Sequence, residues 1–224
     1  MNKSRIIILI LLLVSPAFIL NAQDDEVKIG LRAGHNVAFG GFSAVSVETV
    51  QSFCGNFSVN GGIQYNTIGK TVLEACPAYK MSFDWFKISV ESMFTYMNLR
   101  STNSFTAGVG ATFDSKYLGF RLGYYYRLYC SHASLIKEPF NIYYELCSHL
   151  LQRFEDWNLD LIITNCEMFE LERHYQPSFI IEGSYFPTSK LGISFGIGCK
   201  PSGMFNMSAD YYQSFIKTGI CYRW

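Results

Sequence analysis

The stretch that decides the fold is Leu118-Gly119-Phe120-Arg121-Leu122-Gly123-Tyr124-Tyr125-Tyr126-Arg127-Leu128. Leu118, Phe120, Leu122, Tyr124, Tyr126 and Leu128 take every second position, with Gly119, Arg121, Gly123, Tyr125 and Arg127 between them. Side chains along a β-strand point alternately to opposite faces, so this period of two predicts a strand with one apolar face and one face that carries arginine. The pattern recurs at Ile88–Tyr96, Phe105–Phe113 and Leu191–Ile197. Strands of globular domains usually run ~5–6 residues. Runs of this length instead suit the ~9–11 residues that a tilted strand needs to cross a bilayer.

Working outward, short turns fall at Cys54-Gly55-Asn56, Asp84-Trp85, Asp114-Ser115-Lys116, Glu155-Asp156 and Pro187–Lys190. Longer breaks alternate with them at Gly40–Ser43, Gly69–Cys76, Leu99–Asn103, Cys130–Glu138, Met168–Pro177 and Pro201–Ala209. Short turns at one end and longer loops at the other predict an all-β, antiparallel, up-and-down transmembrane barrel of about twelve strands. Ten or fourteen strands stay open, because Gly40–Thr67 can be divided differently. The five prolines beyond the first segment (Pro77, Pro139, Pro177, Pro187 and Pro201) are expected at strand ends or in connections, since proline donates no ladder hydrogen bond.

Composition agrees with a barrel and excludes other classes. The chain is 49% hydrophobic and 17% aromatic, which rules out disorder. Its 18 basic and 18 acidic residues cancel, which is not the charge of a nucleic-acid-binding protein. A mean hydropathy of +0.12 is too low for a bundle of membrane helices and is accounted for if half of each strand faces lipid and half a polar lumen. Aromatics flank every short turn: Phe53 and Phe57, Phe83 to Phe86, Phe113 and Tyr117, Phe154 and Trp157, Tyr185 and Phe186. Such recurrence predicts a girdle at the headgroup boundary.

Residues 1–22 read as an export signal, with Lys3 and Arg5, the apolar run Ile6–Val14 and a small residue, Ala22, at the cut. The barrel domain is then 23–224. The last strand carries Ile216, Thr218, Ile220, Tyr222 and Trp224 at alternate positions and ends on an aromatic. This resembles the C-terminal assembly signal of Gram-negative outer-membrane β-barrel proteins. The resemblance implies localisation in the outer membrane, contact with its lipid, and insertion by the barrel assembly machinery. No subfamily is indicated.

With the apolar phase outward, the lumen is expected to receive Lys28, Arg32, Lys80, Lys87, Arg121, Arg127, Arg153, Lys200, Lys217 and Arg223. Opposing them are Glu48, Glu91, Glu145, Asp160 and Glu182. The lumen is therefore expected to be net basic. Counting from the short turns puts Arg32, Glu48, Asn60, Glu91, Arg121, His149, Asp160, Glu182, Ser194 and Lys217 at one depth. Two readings follow: a belt of ion pairs that fills a structural barrel, or a polar constriction in a narrow pore that favours small anionic solutes. Arg121, Arg127, Arg153 and Lys217 could alternatively bind a lipid headgroup or small anion.

A lipid-modifying enzyme using His149 or His132 is the catalytic alternative. Ser148 and His149 are adjacent and so face opposite sides. Glu145 and His149 share a face but sit roughly 13 Å apart at ~3.3 Å per residue, so neither supplies an orienting bond along the strand. No catalytic residue is assigned from sequence. No metal site or cofactor is expected either, because close CxxC pairs and His pairs at ligand spacing are lacking. Seven cysteines leave at least one thiol free or paired between chains.

Overall fold

The computed structural model describes residues 25–37, 40–53, 56–99, 102–130, 135–154, 157–165, 177–203 and 208–224. Within these, the side chains of 135–140, 151–154, 202–203 and 208–212 are outside the description. Twelve strands follow in chain order: β1 (Glu26–Asn36), β2 (Gly40–Phe53), β3 (Phe57–Asn66), β4 (Lys70–Ser82), β5 (Phe86–Leu99) and β6 (Thr102–Ser115). The second half comprises β7 (Leu118–Cys130), β8 (Leu135–Phe154), β9 (Trp157–Thr164), β10 (Ser178–Tyr185), β11 (Leu191–Gly203) and β12 (Ser208–Arg223). Each strand pairs antiparallel with its neighbours in sequence, and β1 pairs with β12 to close the barrel. Closure leaves no sheet edge, which is the condition for strands to lie in hydrocarbon.

The predicted lipid face is the observed outer face. Ile29, Leu31, Val90, Phe94, Phe105, Val109, Leu118, Phe120, Leu122 and Tyr124 project outward and are exposed on the isolated chain. So do Ile193, Phe195, Ile197, Ile216 and Ile220. The aromatic girdle forms at the short-turn end. Phe83 stacks on Phe86 at 4.5 Å, Phe86 on Phe113 at 5.4 Å, and Trp157 packs on Tyr185 at 4.4 Å. Phe186 departs from it: its ring is buried inside the short-turn mouth, with the Arg223 guanidinium 3.6 Å above it.

Two expectations about the outer end are corrected. Gly69–Cys76 is not a loop. Gly69 has φ +86°, a conformation that glycine adopts freely, and its N–H donates to Asn66 O at 3.1 Å. The chain thus reverses within 67–69, and β4 begins at Lys70. The other outer breaks shrink in the same way, and only the β9–β10 connection, 165–177, is long.

The prolines are corrected as well: Pro77, Pro139 and Pro201 lie inside β4, β8 and β11. The missing N–H is absorbed by local irregularity. The β4–β5 pairing skips Cys76 and Pro77, and register shifts fall beside Pro139 and at Pro201.

Inside the barrel, glycines make room for rings. In one ladder row Glu91, Gly110, Gly123 and Tyr143 are successive partners on β5 to β8. A Cβ on either glycine would collide with the Tyr143 ring, so the ring lies flat across two strands, and its hydroxyl reaches Glu91 at 3.0 Å. In a second row Ile180, Gly198, Phe215, Gly34 and Phe42 are successive partners across β10, β11, β12, β1 and β2. The Phe215 ring covers Gly198, and Phe42 reaches over Gly34.

Candidate functional site

The lumen is layered. In the outer half, Phe42, Ile180 and Phe215 form a buried apolar cluster joined by Ile68 and Ile162. Val72 and Met97 form a second, joined by Ile68, Leu99 and Tyr129. Ile68, from the tight β3–β4 turn, packs against both. Below them, at mid-barrel, is a polar chamber of about 290 Å³, and below that a vestibule of about 940 Å³ on the short-turn side. Glu74, Arg121 and Glu145 line both cavities.

The chamber gathers many of the expected residues. Arg121 on β7 donates through Nε to Glu91 Oε1 at 2.5 Å, with its guanidinium 5.3 Å from the Tyr143 ring centre. Glu182 on β10 accepts from Lys28 Nζ at 2.6 Å and also from Lys217 Nζ. Gly196 lies between Glu182 and Lys217 in the ladder, and the lysine stem crosses the space that a Cβ there would fill. Arg32 sits directly opposite Lys217 in register, and its guanidinium lies 3.6 Å from the Phe215 ring centre, under the apolar layer.

Of the residues expected at one depth, His149, Asp160, Glu182, Lys217 and Arg32 fall with Gly196 on one continuous ladder row, while Glu91 and Arg121 lie on two others. Tilted strands carry that row along the barrel axis. It starts at His149 in the vestibule and rises to Arg32 beneath Phe215.

Glu74 was missed, because the apparent break Gly69–Cys76 hid an inward strand position. With it, the chamber is lined by four basic side chains (Lys28, Arg32, Arg121 and Lys217) and four acidic ones (Glu48, Glu74, Glu145 and Glu182). The basic excess expected of the lumen is not found there. Inward basic residues beyond it are Lys80 and Lys87 toward the short-turn end and Lys70, Arg127 and Lys200 toward the opposite end. Arg127 bonds Thr106 and Tyr129 at 3.1 and 3.0 Å and lies over Tyr125, well above Arg121, so those two arginines do not form one anion site. The Arg153 side chain, His132, His174 and residues 1–22 lie outside the description. The Gln64 side chain lines the chamber, is buried, and finds no hydrogen-bond partner among the described residues at either end of its amide. A buried amide in that position calls for water or solute in the chamber.

His149 faces the lumen, away from lipid. Asp160, its cross-strand partner, brings Oδ1 within 2.7 Å of Nδ1, and Asp114 Oδ1 is 3.3 Å from Nε2. Neither carboxylate could be paired with it by spacing along one strand. The described cysteines Cys76, Cys130, Cys147, Cys199 and Cys221 are all free thiols.

No protein-family model matches the chain, and no curated protein does. Solved structures do. The KdgM porin, described in complex with disordered oligogalacturonate, superposes with a TM-score of 0.54 at 14% identity, covering 88% of this chain and 99% of its own. The NanC porin gives 0.56 at 11% identity, covering 88% and 100%. The translocator domain of the autotransporter NalP from Neisseria meningitidis gives 0.59 at 11%, covering 99% and 96%. At these identities the likeness is one of fold. Together with the closed ladder, the apolar outer belt and the girdle, it makes this chain a twelve-stranded transmembrane β-barrel with the fold of outer-membrane porins.

Proposed function

We propose that the barrel is a narrow outer-membrane channel for small polar solutes, with its outer half closed in this structure. The observation that carries this is the layering. A charged chamber shares Glu74, Arg121 and Glu145 with the vestibule at the short-turn end and stops at the apolar clusters around Ile68. Hydrophobic constrictions close pores by excluding water, and they open when a few side chains move. At the outer approach the inward basic residues Lys70, Arg127 and Lys200 favour anionic solutes, whereas Lys80 and Lys87 share the vestibule with Glu91 and Asp114. The KdgM porin, solved with oligogalacturonate, shares the fold, so acidic saccharides are the first solutes to try.

Planar-bilayer recording of the purified protein tests the proposal. Brief, small openings are expected from the wild type. In Phe42→Ala/Phe215→Ala, both conductance and open time should rise several-fold, with a reversal potential on the anion side. Silence from both proteins, each verified as folded by heat-modifiable gel migration, rejects a channel. A cation-side reversal potential rejects the anion assignment. Insertion by the barrel assembly machinery, implied by the C-terminal pattern, belongs to the same proposal.

A further inference from the structure

Cys147, His149, Asp160 and Asp114 form a cluster that the channel reading does not use. Cys147 and His149 stand two apart on β8 and so share its inward face. Asp160 is the ladder partner of His149 on β9. Asp114, Gly119 and Cys147 are successive partners on β6, β7 and β8, and the absence of a side chain at Gly119 lets Asp114 reach the imidazole. Cys147 Sγ lies 3.8 Å from His149 Nδ1, and Asp160 Oδ1 lies 2.7 Å from the same nitrogen. The three donor atoms are all within 4.8 Å of one another.

Thiol and carboxylate therefore meet the same ring nitrogen. A nucleophile relay needs them on opposite nitrogens of the imidazole, so this is not a catalytic triad. Convergence of three lone-pair donors is what a cation requires. Tetrahedral zinc, with Zn–S of about 2.3 Å and Zn–N of about 2.0 Å, holds S and N roughly 3.5 Å apart, close to the distance found here. The remaining ring nitrogen, Nε2, faces the Asp114 carboxylate, the outer partner that orients a metal-bound imidazole. Cys147, His149 and Asp114 line the vestibule, which gives a cation access from the short-turn mouth.

We propose that Cys147 Sγ, His149 Nδ1 and an Asp160 carboxylate oxygen bind a divalent transition cation of the zinc class. Asp114 orients the imidazole, and a fourth position opens to vestibule water. Binding displaces the thiol proton, which leaves to solvent as the S–metal bond forms.

The test is cobalt and zinc titration of the full barrel in detergent, stripped of metal beforehand. One equivalent of Co²⁺ should give a thiolate-to-cobalt charge-transfer absorption with the visible bands of tetrahedral coordination, and Zn²⁺ should displace it. Cys147→Ser should abolish the charge-transfer absorption. Cys199→Ser, on the lipid face, should keep it. Asp114→Asn should weaken affinity about 10- to 100-fold. Zinc should also slow alkylation of Cys147 by a water-soluble maleimide in the unmutated protein, a readout that needs no variant to fold. No thiolate band in the wild type, a band that survives Cys147→Ser, or alkylation indifferent to zinc each overturns the site.

Discussion

At the scale of single residues, the inward face depends as much on what is missing as on what is present. Tyr143 can bond Glu91, three strands away, only because Gly110 and Gly123 leave its ring a flat bed. Arg121 then shares Glu91 with it. Gly123→Val would fill that bed and push the ring off Glu91. Overpacking of this kind costs about 1–3 kcal/mol, so a lower urea midpoint for the detergent-folded barrel is expected, with a smaller effect from Gly41→Ala, where added atoms meet little. In sequence these glycines read only as the polar half of an alternation. Their use as berths depends on which residue the neighbouring strands bring alongside.

At the scale of elements, β12 carries the closure. It pairs with β1 from Glu26–Arg223 to Asn36–Gln213, and Arg223 Nε bonds the Glu26 carboxylate at 2.7 Å. The ring of Tyr222 lies 5.8 Å from that of Trp224, and Trp224 N–H donates to Asp25 O. Removing Tyr222–Trp224 takes away the last rungs of closure together with the terminal aromatics. The expected result is a several-fold fall in the heat-modifiable, membrane-inserted fraction, scored by gel migration of outer-membrane preparations, whereas Lys190→Ala should assemble normally. Strand existence and facing were legible from the period of two. Strand ends were not, and both departures have backbone causes: Gly69 turns the chain within three residues, and the ladder skips Pro77 or shifts register at Pro139 and Pro201.

At the scale of the whole molecule, the lumen changes character along the barrel axis, from a charged chamber to apolar clusters interleaved with Lys70, Arg127 and Lys200. The chamber is balanced at four basic and four acidic side chains, with apolar clusters above it. Removing one acid should therefore tip it. In the Phe42→Ala/Phe215→Ala background, Glu74→Gln is expected to shift the reversal potential toward anions and Lys217→Gln away from them, read under a salt gradient. Equal reversal potentials in the two variants would mean that the chamber does not set selectivity.

Sequence alone determined that the chain crosses a membrane as a closed sheet, and which face of each strand meets lipid. The reason is local and general: alternation over a long strand makes one apolar face, and in hydrocarbon every backbone donor and acceptor must find a partner. It also put forward ten basic and five acidic residues as lumen candidates, Arg32, Glu182 and Lys217 among them. Tertiary structure alone decided their company. Strand tilt and register set Lys217 against Glu182, put His149 beside Asp160, and drew Phe42 and Phe215 across glycines into a closed outer layer. Those meetings join strands far apart in the chain, where no periodicity within one strand can specify them.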